Sequence, residues 1–188
     1  MRSRPGRGAA ALVAGLALCG LIVVGCAAQP YDSALWRQIR AQQAVVSDEL
    51  LRSPQPFPRD ALVDRLRTVS IVWESRETPP LFPGTEPASV IHSIREAGVD
   101  SFGDPLVRFT EFVSSGVRQD VPRGDERRRE GPSTMYTCYT WEVVFVADRV
   151  WDARRPGYAE GVDVECDERL IALLPEDATH IATADLVE

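Results

Sequence analysis

The sequence predicts an α+β fold in which N-terminal helices pack on a mainly antiparallel sheet of about four strands. Apolar residues recur at helical spacing in the first part of the chain after residue 32. From residue 106 onward they alternate with a period of two, which is typical of strands. Cys138 and Cys166 lie in this second part and can form one disulfide. Helices followed by strands in separate runs indicate the α+β class.

The clearest predicted helix starts at a capping residue, Asp32 or Ser33. Its apolar residues recur at steps of four, seven and four and form one stripe: Leu35, Ile39, Val46 and Leu50. Three prolines within residues 54–58 end it. Helical spacing returns over residues 60–66. A third, short helix is predicted from Pro87 to the stop at Gly98, with its stripe on Val90, Ile91, Ile94 and Ala97.

The predicted strands begin with a short segment over residues 69–73. Residues 106–113 and 136–147 alternate more clearly, and the second carries apolar groups on both sides, as a central strand does. The polar residues 118–133 between them predict a long hairpin loop. Residues 151–161 predict a second loop, and residues 162–166 predict the last strand.

Cys138 and Cys166 are the pair of cysteines that we expect to form a disulfide, since they are the two that lie beyond the first 30 residues. A loop of this length gives roughly 3.6 kcal/mol in the chain-entropy treatment. The alternatives are two buried free thiols or a metal pair. Neither cysteine has a histidine or a second cysteine at metal-ligand spacing, which argues against the metal.

The N-terminus has the layout of a secretion signal. Residues 1–7 contain three arginines and no acid, and residues 9–25 contain no charged residue. The apolar run is near the short limit for a permanent transmembrane helix. It ends in a small residue, Gly25, which is followed at once by Cys26.

This order resembles the type II signal peptide of bacterial lipoproteins, whose lipobox corresponds here to Val23-Val24-Gly25-Cys26. The resemblance covers only the first 26 residues. It implies cleavage before Cys26, a diacylglycerol thioether on its sulfur and often a further acyl chain, such as palmitate, on its new amine. Two lipid chains suffice for stable attachment to a membrane. The alternatives are an uncleaved membrane anchor and ordinary signal cleavage near Ala27-Ala28.

The sequence divides into three predicted regions. The resemblance implies that residues 1–25 are the signal peptide and that residues 26–30 are the lipidated cysteine with a short tether. The length of the remainder, residues 31–188, predicts a single α+β domain. The resemblance also implies that this domain lies on the outer, extracytoplasmic face of the cell membrane, held there by lipid on Cys26.

The charge of the mature chain limits its partners. Removal of residues 1–25 takes away three arginines and no acid, so the net charge falls from −7 to −10. Phosphate binding needs a basic surface, so we expect no nucleic-acid partner and no electrostatic adhesion to anionic lipid. The expected partners are the membrane, through the lipid, and an envelope protein or ligand of unknown identity.

No familiar catalytic motif is present. The two histidines, His92 and His180, fit packing or surface roles, and no nucleophile elbow, zinc-protease motif or phosphate loop occurs. We therefore expect a non-catalytic binding domain without a cofactor or metal. Trp151 and Tyr158, in the second predicted loop, are candidate contact residues.

The alternative function is an envelope hydrolase that uses carboxylates. Glu111 and Glu142 are its candidate residues, because each lies in a predicted strand where a buried acid would be unusual. A second acidic group could bind Ca²⁺, although a solvated strand face accounts for it more simply. That group consists of Asp163, Glu165, Asp167 and Glu168.

Overall fold

The described part of the chain forms a mixed sheet, and helices both precede and follow the long strands of this sheet along the sequence. The computed structural model describes residues 33–74, 78–117, 132–157 and 164–186, which lie in the unit Tyr31–Glu188. The helices are α1 (Ser33–Arg52), α2 (Leu62–Val69, preceded by a 3-10 turn at Arg59–Ala61), α3 (Glu168–Ile171) and α4 (Thr183–Leu186). The strands are β1 (Ile71–Val72), β2 (Ala88–Val99), β3 (Pro105–Ser114), β4 (Met135–Val146), β5 (Arg149–Arg154) and β6 (Thr179–His180).

The sheet corrects the prediction of a mainly antiparallel sheet of about four strands. Its order is β1-β2-β3-β4-β5, and β6 also pairs with β4. The three pairings from β2 to β5 are antiparallel, whereas β1–β2 and β4–β6 are parallel. The sheet described here is therefore mixed and has six strands. Both parallel strands are only two residues long, which is too short for an alternating pattern in the sequence.

The predicted first helix is confirmed as α1. All four residues of its stripe are fully buried against the sheet. Complete burial of a Leu, Ile or Val side chain contributes about 1.5–3 kcal/mol, so the stripe contributes substantially to the packing of α1 on the sheet. The helices are not confined to the N-terminal half, however, because α3 and α4 follow the long strands.

Two apolar clusters cover the two faces of the sheet. The larger lies on what we call the α1 face and combines the α1 stripe with Phe109, Trp141, Val143 and Phe145. The smaller lies on the opposite face, the disulfide face, and contains Trp73, Phe82, Phe112, Leu170 and the two cysteines. The strand β4 is buried on both faces, as its sequence predicts.

The third predicted helix is wrong, because residues 88–99 form β2. The register of β2 against β3 shifts between His92 and Arg95, and Ser93 there has a positive φ of 57°. This β-bulge adds one residue to the strand, so Ile91 and Ile94 both pack with the α1-face cluster although they are three positions apart. The bulge thus produces a spacing that looks helical in the sequence.

The disulfide between Cys138 and Cys166 is confirmed, with a Cα–Cα distance of 5.5 Å. Its setting differs from the prediction, because Cys166 lies in a segment without regular structure and only Cys138 lies in a strand. The next residue, Asp167, caps α3 by accepting a hydrogen bond from the Arg169 backbone N–H. The predicted loop at residues 151–161 also begins inside β5.

No helix within the described ranges is both long enough and apolar enough to span a membrane. The signal segment, Cys26 and the tether at residues 26–30 lie outside the described residues. So do residues 118–131, which form most of the predicted hairpin loop, although the two strands that flank it pair as a hairpin would require.

Candidate functional site

Glu111 is a fully buried carboxyl group in the middle of β3. Alternation along the strand directs its side chain to the α1 face, together with Phe109 and Val113. Its Oε1 accepts a hydrogen bond of 2.8 Å from Ser89 Oγ, and its Oε2 accepts one of 2.7 Å from Trp141 Nε1. The two donors belong to β2 and β4, so both neighbouring strands hold the carboxylate in place.

Burial raises the pKa of Glu111 to about 7, because the ionised form loses its hydration. Hydrogen bonds from Trp141 and Ser89 act in the opposite direction, as do the nearby Tyr139 hydroxyl and the charge of Arg155. The guanidinium carbon of Arg155 lies 5.2 Å from the ring centre of Tyr139 and 5.3 Å from that of Trp141. Glu111 therefore changes its protonation state near neutral pH, whereas an ordinary glutamate does so near pH 4.

Two serine hydroxyls connect Glu111 to the surface. Ser70, directly after α2, places its Oγ 2.8 Å from the backbone carbonyl oxygen of Ser89 and 2.9 Å from Ser89 Oγ. Ser89 Oγ in turn donates to Glu111. A continuous row of polar atoms therefore runs from Ser70 through Ser89 and Glu111 to Trp141, which we call the serine–glutamate row.

An open cavity of about 360 Å³ lies at the outer end of this row. It forms where α1, the junction of α2 with β1, and the loop before β2 meet. Ser70 and Ser89 contribute its hydroxyl groups, and Gln42 and Glu86 also line it. The apolar lining residues include Val69, Ile71, Leu81, Phe82, Pro83 and Ala88. The cavity thus combines an apolar wall with a polar end that leads to a buried acid.

Two glycines allow the loop before β2, which lines the cavity, to pack closely against neighbouring backbone. A Cβ atom at Gly84 would lie 2.1 Å from the carbonyl oxygen of Leu173, and one at Gly116 would lie 2.4 Å from the backbone of Glu86. Gly116 also has a positive φ of 66°, which favours glycine. Any side chain at either position would push the loop away, so these residues set the shape of the cavity wall.

Glu142, the second candidate acid, lies on the opposite, disulfide face of the sheet. It forms ion pairs with Arg108 and with Arg154. Partial burial raises the pKa of Glu142, but the hydrogen bonds from Arg108 and Arg154 outweigh that effect and the net pKa is lowered. The structure does not bring Glu111 and Glu142 together, so the pair of carboxylates expected of a glycosidase-like hydrolase is not formed by these two residues.

The two histidines pack against aromatic rings. His92 is nearly buried on β2, with its ring centre 5.9 Å from that of Trp73 and its Nδ1 3.0 Å from Ser93 Oγ. Burial is the main cause that lowers the pKa of His92. His180 lies 5.5 Å from the Tyr136 ring. Both residues thus have the packing contacts expected from the sequence.

The predicted acidic group does not assemble as a cluster in the part of the chain that is described. Asp163 lies outside it. Asp167 caps α3 and pairs with the guanidinium of Arg169, which in turn lies 4.5 Å from the Trp73 ring centre. Across the described ranges, no three His, Cys, Asp or Glu side chains come together as a metal site.

Of the two candidate contact aromatics, Trp151 is 75% exposed, but it lies in β5 and not in a loop. Tyr158 lies outside the described residues. The exposed apolar residues also include Phe102, between β2 and β3, and Leu81, at the rim of the cavity. Neither Phe102 nor Leu81 belongs to a pattern in the sequence that predicts a contact role.

The residues that sequence reasoning missed are Ser70 and Ser89. One indication was present: Glu111 is the acid in an alternating set that is otherwise apolar. The serines themselves have no local signature, because they meet only through the parallel pairing of β1 with β2. Comparison of the chain with protein-family models, curated proteins and solved structures found no match.

Proposed function

We propose that this protein is a lipid-anchored, extracytoplasmic binding protein that takes a small, largely apolar ligand into the cavity beside Ser70 and Ser89. The observation that carries the proposal is the serine–glutamate row, which connects the polar end of the cavity to a buried ionisable group. A buried carboxyl group costs stability, and such groups concentrate at functional sites. The position of this one, directly behind the cavity, supports a role in binding.

The size and composition of the cavity support a small-molecule ligand. Small-molecule sites have volumes of about 300–1,000 Å³ and apolar walls with a few placed polar groups. The cavity is near the lower limit of that range. A ligand with one ring and a short chain therefore suits it better than a bulky cofactor or a folded partner.

The first test fills the cavity with a large side chain. Ser70→Trp is expected to abolish binding of 3-phenylpropan-1-ol, a small neutral probe, because the indole would occupy the space beside Ser89. Thr68→Trp is the matched control, since Thr68 is exposed, two positions away and outside the cavity. Saturation-transfer NMR on the full chain measures binding. Equal probe signals for the wild type and both variants, or none for the wild type, would contradict the proposal.

A second candidate function is hydrolysis, and the 2.8 Å hydrogen bond from Ser89 to Glu111 is the observation that favours it. In that reaction, Ser89 Oγ would attack an ester carbonyl carbon while its proton passes to Glu111. The ester C–O bond would then break, Glu111 would return the proton to the departing alcohol, and water would release the acyl group from Ser89. A fluorophosphonate reagent separates the two functions. Covalent labelling of Ser89, lost in Glu111→Gln, would support the hydrolase. An unlabelled Ser89 in a chain that binds the neutral probe supports the binding protein.

The proposed location rests on the lipobox-like residues at positions 23–26. Cys26→Ala is expected to move the protein out of the membrane fraction or to leave its precursor unprocessed, because the sulfur that accepts the diacylglycerol is absent. Cys19→Ala is the matched control, since it removes a thiol within the same segment without touching the lipobox. Cell fractionation and intact-mass measurement provide the readouts. A Cys26→Ala protein that fractionates with membranes and shows the same mass change from cleavage and lipid addition as the wild type would refute the anchor.

A further inference from the structure

The hydroxyl protons at the polar end of the cavity are already committed to acceptors within the protein. When Glu111 is ionised it can only accept, so Ser89 Oγ must donate its single proton to it. Ser70 Oγ has one proton as well, and it faces two acceptors, the carbonyl oxygen and the Oγ of Ser89. Each hydroxyl therefore has only lone pairs left for a ligand.

The charges around the cavity favour the same kind of ligand. Glu86 lines the cavity and is exposed, and Glu111 lies directly behind Ser89. Gln42 is the other polar lining residue, and its amide can donate or accept. No arginine of the described residues lines the cavity. An anionic ligand would thus meet lone pairs and a carboxylate, with no cation among the described lining residues to balance its charge.

We propose that the cavity selects ligands whose polar end donates hydrogen bonds, and in particular primary ammonium groups attached to a small apolar body. This inference rests on the proposed binding function. The apolar wall receives the body, and Ser70 Oγ and Ser89 Oγ accept hydrogen bonds from the ammonium group. Glu111 acts as a positioning residue, because it fixes the direction of the Ser89 hydroxyl without touching the ligand.

The role of Glu111 can be separated from simple structural support. In Glu111→Gln, the amide oxygen must face Trp141, because the indole N–H can only donate. The amide NH₂ then faces Ser89 and donates to its Oγ. The Ser89 proton is released from its buried acceptor and becomes available to Ser70 or to a ligand. The variant therefore reverses the polarity of the cavity hydroxyl while preserving the volume of the buried side chain.

Three probes of similar shape test the inference on the full chain at pH 8: 3-phenylpropylamine, 3-phenylpropan-1-ol and 3-phenylpropanoate. The wild type is expected to bind the amine roughly tenfold more tightly than the carboxylate, as a hydrogen bond to a charged group allows. Ser70→Ala should reduce that ratio about threefold or more, because the charged donor loses more than the neutral one when an acceptor is removed, whereas Thr68→Ala should leave the ratio unchanged. Glu111→Gln should reduce the ratio further and strengthen carboxylate binding.

The outcomes distinguish this inference from the function on which it rests. If the alcohol binds but the amine and the carboxylate bind equally, the inference is wrong and the binding function stands. If none of the three probes binds the wild type, both are wrong. If Glu111→Gln does not bind the alcohol, its cavity has not formed. The ratio of amine affinity to carboxylate affinity in Ser70→Ala then still tests the inference. An unchanged ratio in Ser70→Ala would overturn the role of the hydroxyls.

Discussion

Glu111→Gln is expected to abolish one part of the pH dependence of stability. In the wild type, Glu111 should lower the free energy of unfolding by about 3 kcal/mol between pH 4.5 and pH 7, and glutamine should not. The pKa of Glu111 rises from 4.5 to about 7 on folding. The folded protein therefore holds a proton in this interval that the unfolded chain has released. The stabilisation by the protonated carboxyl is complete below pH 4.5 and is lost as the pH rises through 7. Glutamine cannot ionise. The free energy of unfolding of the variant, relative to that of the wild type, should therefore increase from pH 5 to pH 8.

Urea unfolding of the wild type and the variant at pH 5, 6, 7 and 8 measures this effect. The difference between the two proteins is the quantity to compare, because it cancels groups that both contain. His92 is one of these groups. Because its pKa is lowered in the folded protein, the unfolded chain binds a proton at His92 more readily. The contribution of His92 to the free energy of unfolding therefore rises with pH and opposes that of Glu111.

Glu142→Gln is the control variant for this measurement. The pKa of Glu142 is lowered in the folded protein, so its stabilisation is present above about pH 4.5 and is lost only at more acidic pH. Its difference from the wild type should therefore stay constant from pH 5 to pH 8. A Glu111→Gln protein whose stability follows the wild-type pH curve in parallel would show that Glu111 has an ordinary pKa.

The double variant Cys138→Ala/Cys166→Ala is expected to lose roughly 3–4 kcal/mol of unfolding free energy. The disulfide closes a loop between residues 28 positions apart, and opening it returns conformational entropy to the unfolded chain. The bond also holds the segment before α3 against β4, where Leu170 packs in the disulfide-face cluster with Trp73 and Phe112. Its loss should therefore weaken that cluster first.

Denaturant unfolding with and without a reductant tests the disulfide. The reductant should destabilise the wild type by about the same amount as the double substitution and should leave the double variant unchanged. A double variant within 1 kcal/mol of the oxidised wild type would contradict the expectation, since typical native disulfides contribute about 2–4 kcal/mol. Hydrogen exchange at the backbone N–H groups of α3 provides a local readout, and faster exchange there is expected in the variant.

The elements that the sequence predicted well are those with an uninterrupted period. The stripe of α1 and the alternation of β3 and β4 persist over eight or more residues, so their buried faces are visible without any tertiary information. β2 was predicted as a helix because its bulge at Ser93 interrupts the alternation. β1 and β6 are two residues long, and their parallel pairing depends on segments distant in the chain.

For the candidate site, the sequence by itself determined that Glu111 belongs to a strand with otherwise apolar neighbours on its side, and that Cys138 and Cys166 are a suitable pair. Both conclusions follow from local pattern and composition. Only the tertiary structure decided that Ser70, Ser89 and Glu111 form one hydrogen-bonded row. Ser70 and Ser89 are 19 positions apart, and Ser89 and Glu111 are 22 apart. Strand pairing brings such residues together, and its register is set by packing across the whole sheet, which no local stretch of sequence encodes.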